Sequence, residues 1–217
     1  ECYQSVHADE VVELNAPIEG IYLFAQAALE PGDEVIVLSP AYDALINMFI
    51  HVVGAEHVKQ WQFVADENEW LLDTAHLEAL ITDQTKLLVL NFPHNPTGYV
   101  PSPEQWQEII DIVEEHDLLL FCDEMYTGLL NEGTEPIASA VDMTENAVVL
   151  SGLSKTYGLP GLRSGWLIVK DAEQRANILN WKFYTTICPP SPVEFLTAAA
   201  LTVKDQLRER SLEQIKK

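Results

Sequence analysis

The chain has 217 residues, and its 12 Lys and Arg stand against 34 Asp and Glu, which gives a formal net charge of -22 at pH 7. Such an acidic protein repels phosphate backbones, so nucleic-acid binding through a basic patch is excluded as a function class. Because 47% of the residues are apolar, the chain can bury a large core, and bulk disorder is excluded as well. The length corresponds to one large domain or to part of a larger protein.

The sequence has no feature of a membrane or metal-binding protein. No apolar run approaches the ~20 residues that a membrane span requires, and a signal-peptide pattern is absent. Cys2, Cys122 and Cys188 lie far apart and do not have the spacing of metal ligands. We therefore expect a cytoplasmic protein with reduced thiols, without a membrane partner and without a bound metal.

Apolar runs alternate along the chain with segments of helical periodicity. The first predicted helix has apolar residues at helical spacing at Ile18, Ile21, Tyr22, Ala25 and Leu29. Five short apolar runs predict strands, at residues 34–38, 86–92, 118–122, 147–150 and 166–169. This alternation predicts an α/β fold with a mostly parallel central sheet flanked by helices.

Two further helices are predicted from their ends and periodicity. Ser102 followed by Pro103 is typical of a helix start, because serine caps the free amides and proline fits the first turn. The side chains that this helix turns inward are predicted to be Trp106, Ile109, Ile110 and Val113. From residue 192 to residue 217 we predict one long helix, with a stripe formed by Leu196, Ala199, Ala200, Val203 and Leu207.

Three polar clusters follow predicted strands, at residues 95–98, 123–126 and 151–155. In open parallel sheets, ligands bind beyond the carboxyl ends of the strands, so these clusters are candidate parts of one site. Lys155 is followed by a glycine-rich turn and by Arg163, but the spacing is not that of a Walker phosphate loop. The arrangement suits an amine that forms a Schiff base beside an anchored phosphate, and a solvated surface lysine is the alternative.

Six stretches carry recognisable motifs, in chain order: residues 16–21, 31–35, 39–42, 91–98, 123–126 and 154–163. In this order they resemble the class I and II aminotransferase branch of the fold-type-I pyridoxal-phosphate enzymes. The resemblance implies that residues 1–190 form the large domain, which binds the cofactor pyridoxal 5'-phosphate. Residues 191–217 would then be the long helix that leads to a small domain outside this sequence.

The resemblance also implies catalytic roles for Lys155, Asp123 and Tyr126. Lys155 is expected to form the Schiff base with the cofactor and to move a proton at the substrate's α-carbon. Asp123 is expected to pair with the protonated ring nitrogen, so that the ring accepts electrons. Tyr126 and Asn95 are expected to hydrogen-bond the phenolic oxygen of the ring, and Tyr42 is expected to stack on the ring.

The same resemblance assigns the phosphate to Arg163, Ser154 and the backbone of Ala16, Pro17 and Ile18 at a helix start. Two residues depart from the family pattern. Pro17 directly follows the position of a family glycine and has no N–H to offer. Gly152 stands three positions before the lysine, where the family usually has a hydroxyl residue, and Ser151 and Ser154 are the candidates to replace it, of which Ser154 is preferred. Glu19 is interpreted as a helix-start charge.

The implied activity is transfer of an amino group between an amino acid and a 2-oxo acid, in amino-acid metabolism, by a homodimer. A polar and aromatic patch is expected to face the neighbouring subunit's site; it consists of Trp181, Tyr184, Thr185 and Thr186. The same site also supports elimination, cyclisation, decarboxylation or oxidation. Two alternatives outside enzyme catalysis are a sensor domain that binds the cofactor without turnover and a structural protein that binds phosphate. The residues that hold the substrate's carboxylate are expected outside this sequence.

Overall fold

The structure is a computed structural model that describes residues 3–66 and 69–216, so Cys2 lies outside the described residues. Its strands are β1 (Val11–Leu14), β2 (Glu34–Ser39), β3 (Val58–Gln62), β4 (Val64–Asp66), β5 (Glu69–Leu71), β6 (Thr85–Asn91), β7 (Leu119–Asp123), β8 (Ala147–Gly152) and β9 (Gly165–Val169). Its helices are α1 (Pro17–Ala28), α2 (Ala44–Val53), α3 (Thr74–Leu80), α4 (Pro103–Glu115), α5 (Ala140–Met143), α6 (Ala172–Phe183), α7 (Ser191–Thr202) and α8 (Lys204–Ile215).

Seven strands form one sheet in the order β1-β9-β8-β7-β6-β2-β3. The five strands from β8 to β3 run parallel, β9 pairs antiparallel with β8, and β1 pairs antiparallel with β9 at the edge of the sheet. Strands β4 and β5 form a separate antiparallel pair. The predicted α/β class with a mostly parallel central sheet is therefore confirmed.

The central sheet is covered by apolar side chains on both faces, which explains the continuous apolar runs in its strands. On β6, Leu88 and Leu90 belong to a core with Trp106 on one face, while Leu87 and Val89 belong to a core on the other face. In the second core, the ring of Phe24 on α1 packs against the rings of Phe49 and Phe121, with centroid separations of 6.4 Å and 4.8 Å.

Each of the five predicted strands is present, with ends that differ by one or two residues from the prediction. Helix α4 also begins as predicted, because the Ser102 hydroxyl accepts a hydrogen bond from the Gln105 N–H at 3.2 Å. Its predicted inward residues are all buried. These elements are set by local signals, namely the length of an apolar run and the chemistry of a helix cap.

The predicted apolar stripe of α1 is only partly correct. Ile21 and Ala25 are buried, but Ile18 and Tyr22 keep 41% and 38% of their surface exposed. The helix instead turns Leu23 and Phe24 inward. The reason is tertiary, because the aromatic cluster around Phe24 fixes the rotation of the helix and leaves Ile18 beside an open cavity.

The predicted single long helix at the end of the chain is wrong. The segment forms α7 and α8, which are separated by Val203 with φ -120° and ψ 24°. The Val203 N–H bonds to the carbonyl of Ala200, which closes α7, and the Val203 carbonyl accepts from Leu207 in α8. The predicted stripe is also not a buried face, since Leu196 and Val203 remain 45% and 40% exposed.

The fold brings the carboxyl ends of β2, β6, β7 and β8 to one edge of the sheet, so the three polar clusters of the sequence meet there. Asn91 at the end of β6 lies directly opposite Asp123 at the end of β7. Within residues 3–66 and 69–216, none of the helices is both long and apolar enough to cross a membrane.

Candidate active site

A cavity of about 290 Å³ lies at the carboxyl edge of the parallel strands. Nine residues that the sequence predicts for the site line it: Pro17, Ile18, Tyr42, Asn95, Asp123, Tyr126, Ser154, Lys155 and Arg163. Ala16 does not line the cavity, but it is the N-cap residue of α1, directly before Pro17. The four loops that carry most of these residues follow β2, β6, β7 and β8, and their convergence is a consequence of the parallel sheet.

Asp123 is a buried acid at the end of β7. One carboxylate oxygen, Oδ1, accepts a hydrogen bond from the Met125 N–H at 3.0 Å. Burial raises the pKa of Asp123 to about 7, although the Met125 hydrogen bond and the nearby charge of Lys155 act in the opposite direction. A cation placed against this carboxylate would lower its pKa again, because the positive charge stabilises the ionised form that burial disfavours.

The neighbouring acid, Glu124, points away from the cavity and has structural partners. Its carboxylate accepts hydrogen bonds from the Ser139 hydroxyl at 2.9 Å and from the Ala140 N–H at 2.8 Å. Burial raises the pKa of Glu124 to about 7, and the Ala140 and Ser139 hydrogen bonds oppose that shift. Glu124 thus ties the end of β7 to the start of α5, whereas Asp123 lines the cavity.

Asn91 holds the Asn95 loop against β7, a role that the sequence did not reveal. Its side-chain Nδ2 donates to the Asp123 carbonyl at 2.7 Å, and its Oδ1 accepts from the Asn95 N–H at 2.8 Å. Both bonds are made by a buried side chain, so they fix the loop position firmly. The signal in the sequence was an asparagine directly after the apolar run of residues 87–90.

His94, directly before Asn95, also positions this loop. Its ring nitrogen Nδ1 lies 2.7 Å from the Thr97 hydroxyl, and its ring centroid is 4.6 Å from that of Phe63. Burial lowers the pKa of His94 to about 4, with a weaker opposing contribution from the Pro40 backbone. His94 is therefore neutral at pH 7, and its contacts serve to position the loop that carries Asn95.

Lys155 stands at the open side of the cavity, with its Nζ 5.8 Å from the centre of the Tyr126 ring. No ion pair to Lys155 is present within the described residues. The next residue, Thr156, is buried and fixes the turn, because its hydroxyl donates to the Met125 carbonyl at 3.0 Å. The lysine-bearing turn is thus bonded directly to the loop that follows Asp123.

Two hydrogen-bond donors at the cavity have unused capacity. Arg163, in a left-handed conformation with φ 52°, donates from one terminal nitrogen to the Pro160 carbonyl at 2.9 Å. In the part of the chain that the structure describes, no carboxylate pairs with its guanidinium. The Ser154 hydroxyl is buried and has no hydrogen-bond partner there either. A buried polar atom without a partner is costly, so an acceptor from a ligand is expected at this position.

Glu19 does more than balance the helix dipole, which was its predicted role. Its Oε2 accepts from the Asn15 N–H at 2.6 Å, and its Oε1 lies 3.2 Å from the Nζ of Lys182 in α6. Thr186 donates to the same Oε1. Because the side chains of Glu19 and Lys182 are only 11% and 5% exposed, this buried ion pair fixes the start of α1 beside the cavity. No local sequence signal identifies Lys182 as the partner.

Comparison with known proteins agrees with this geometry. The family described as "Aminotransferase class I and II" matches residues 3–217. The aspartate aminotransferase of Sulfurisphaera tokodaii is 30% identical over 214 residues, which cover 95% of this chain and 52% of that protein. The capreomycidine synthase of Streptomyces vinaceus is 33% identical over 197 residues, which cover 91% and 49%.

The chain belongs to the class I and II aminotransferase family, which confirms the resemblance found in the sequence. A solved double mutant of Thermus thermophilus aspartate aminotransferase superposes with a TM-score of 0.87 at 29% identity, covering 96% of this chain and 54% of that one. The chain therefore spans about half the length of the relatives that it matches.

The raised pKa of Asp123 predicts how the stability of the cofactor-free protein varies with pH. Between about pH 4 and 7 the folded chain keeps a proton on Asp123 that the unfolded chain has lost, so the free energy of unfolding falls as the pH rises. Replacing Asp123 by Asn removes this contribution. We expect Asp123→Asn to be more stable than wild type at pH 8, by up to about 4 kcal/mol, and to show little gain at pH 4.

Urea unfolding of wild type and variant from pH 4 to pH 8 measures this difference. Asp83→Asn, at an exposed position, is the matched control and is expected to change little across the range. If Asp123→Asn and wild type had the same pH profile, the environment assigned to the Asp123 carboxyl group would be wrong.

Proposed function

We propose that this chain is the cofactor-binding part of a pyridoxal-phosphate-dependent aminotransferase that moves an amino group between an amino acid and a 2-oxo acid. The main observation in support of the proposal is that a buried acid, Asp123, and an amine, Lys155, line the same cavity. Family membership supports the activity, because the relatives over most of this chain include proteins named aspartate and alanine aminotransferase.

The residues of the cavity fit pyridoxal 5'-phosphate. A phosphate dianion needs donors without other partners, which the Ser154 hydroxyl and the Arg163 guanidinium provide. A pyridine ring with a protonated nitrogen needs a buried anion, and Asp123 provides one. When bound, the cofactor supplies an electron sink for the bond broken at the substrate's α-carbon.

Lys155 has two functions in this proposal. The ε-amine of Lys155 would hold the cofactor at the cofactor's aldehyde carbon before the substrate arrives. With substrate bound, Nζ would take the proton from the α-carbon and deliver it to the cofactor. The described geometry supports this use, since Lys155 is exposed at the cavity and no carboxylate ion pair competes for its amine.

Asp123 and the two loops around it would control the charge of the ring. The Asp123 carboxylate would keep the ring nitrogen protonated, because an adjacent cation and a buried anion stabilise each other. Tyr126 and Asn95 would donate hydrogen bonds to the phenolic oxygen, and Tyr42 would pack on the ring face. The buried bonds of Asn91 support the position of Asn95 in this arrangement.

We also propose that the full-length protein is a homodimer and is cytoplasmic. Exposed apolar residues are concentrated next to the cavity, in residues 181–196, where Phe183, Tyr184 and Phe195 are 58%, 92% and 74% exposed. Thr186 in this segment bonds to Glu19 of α1, so the apolar surface adjoins the start of that helix. Large exposed apolar surfaces mark interaction sites.

Sedimentation equilibrium of the full-length protein tests whether it is a dimer, and a fully active monomer would contradict that proposal. Cell fractionation tests the cytoplasmic location.

The activity is tested by the two half-reactions of the full-length protein loaded with cofactor. We expect an amino-acid donor to convert the bound cofactor to its pyridoxamine form and a 2-oxo acid to restore it, which is followed by visible absorbance. Lys155→Ala should slow the first half-reaction by roughly 10²–10⁴-fold, because the proton carrier is lost.

Lys86→Ala is the matched control, since Lys86 lies at the opposite end of β6 and pairs with Asp33 at the surface. Consumption of the amino acid without a pyridoxamine form would favour elimination or another reaction of the same cofactor. Wild-type turnover by Lys155→Ala would refute the assignment of the lysine.

A further inference from the structure

A second cavity lies between helix α7 and the β1 edge of the sheet. Its volume is about 280 Å³, close to that of the active-site cavity. Residues of β1 and β9 form one wall and residues of α7 form the other, and we call this cavity the α7 cleft. The residues that line it differ from those of the active-site cavity, so it is a separate surface of the protein. Its apolar lining consists of Val11, Leu14, Trp166, Pro189, Val193 and Leu201.

Helix α7 has an apolar sequence, but none of its 12 residues is buried. Phe195 and Leu196 are exposed on it. A hydrogen bond from the Thr197 hydroxyl to the Ser164 hydroxyl, at 2.8 Å, joins the helix to the start of β9. A helix of this length is marginal in water unless one of its faces is packed. A further partner that covers α7 is therefore expected.

Two carboxyl groups meet across the α7 cleft. Glu13 lies on β1 and Glu194 in the first turn of α7, and their side chains are in hydrogen-bonding contact. Burial raises the pKa of Glu13, and the charge and the hydrogen bond of Glu194 raise it further, while the charge of Lys182 opposes the shift. The Nζ of Lys182 is already paired with Glu19. Within residues 3–66 and 69–216, neither Glu13 nor Glu194 forms an ion pair.

The charge and the lining of the cleft together define what would fill it. Two ionised carboxyl groups in contact repel each other unless a proton or a cation lies between them. A lysine or arginine side chain would place its charge between the two carboxylates and pack its methylene stem on the apolar lining. Apolar neighbours of that residue would cover α7. A small inorganic cation would neutralise the carboxylates but would leave the helix uncovered.

We propose that the α7 cleft is the docking site for a segment of the full-length protein outside residues 1–217, which inserts a lysine or arginine between Glu13 and Glu194. About half the length of the relatives lies outside the part that this chain matches, which leaves room for such a segment. A second copy of residues 1–217 is a poorer occupant, because its net charge of -22 would bring further negative charge to the pair. The proposal does not depend on the cofactor or on the proposed activity.

The occupant is identified by photo-crosslinking of the full-length protein. A diazirine analogue of leucine at position 201, in the cleft, bonds on irradiation to whatever lies against it, and mass spectrometry of the digest identifies the bonded peptide. We expect a peptide from outside residues 1–217 that contains a lysine or arginine. The same analogue in place of Leu71, an exposed leucine on β5, is the matched control and should not give that peptide.

Two outcomes of the crosslinking would overturn the proposal. Crosslinks from position 201 that are confined to residues 1–217, of the same chain or of a second copy, would show that no further segment occupies the cleft. The absence of any crosslinked peptide would show that solvent or a small ion fills it.

The charge of the occupant is tested by thermal unfolding of the full-length protein at pH 8, which favours ionised carboxyl groups. Glu13→Gln keeps the shape of the side chain and removes its charge. If a basic side chain lies between the two acids, this change removes an attraction, and the melting temperature should fall by roughly 1–4 °C. Glu69→Gln, at an exposed position on β5, is the matched control and should change little.

The direction of the change decides the result. Without a cation in the cleft, Glu13→Gln would only remove the repulsion from Glu194, so the melting temperature would rise or stay the same. Either of these results would overturn the proposed basic side chain.

Discussion

The candidate site is organised around the buried carboxyl group of Asp123 at the end of β7. An isolated carboxylate inside a protein is unstable unless a cation or several donors face it, and Asp123 has one backbone N–H and the nearby charge of Lys155. The sheet causes the burial of Asp123, because three parallel strands end together and the loops after β6 and β8 cover the acid. A cationic ring nitrogen is the kind of group that would pair with this buried carboxylate.

The surrounding structure holds these loops rigidly and leaves the cavity open. Asn91 bonds the Asn95 loop to β7, Thr156 bonds the lysine turn to Met125, and Glu19 with Lys182 fixes the start of α1. Asn91, Thr156 and Lys182 are buried side chains, so water competes little for the bonds that they make. A site that must align a ring, an amine and an acid benefits from such support, because small displacements reduce reactivity strongly.

Much of the fold could be predicted from the sequence because its signals are local. The strands are apolar runs of the length that a doubly covered sheet requires, and Ser102 with Pro103 marks the start of α4. The rotation of α1 and the break at Val203 could not be predicted, since the first depends on packing around Phe24 and the second on backbone geometry between two helical segments. Most of the candidate site could be located because its residues follow strands, whereas Lys182, 163 residues from Glu19, depends on tertiary packing alone.

The proposed role of Lys155 is tested most directly by identifying the side chain that bonds to the cofactor. The full-length protein is incubated with pyridoxal 5'-phosphate, reduced with borohydride, digested and analysed by mass spectrometry. We predict that the phosphopyridoxyl group is found on the peptide that contains Lys155 and that Lys182, which is buried against Glu19, carries none. Modification of a lysine away from the cavity, or stoichiometric binding without a reducible bond to Lys155, would contradict it.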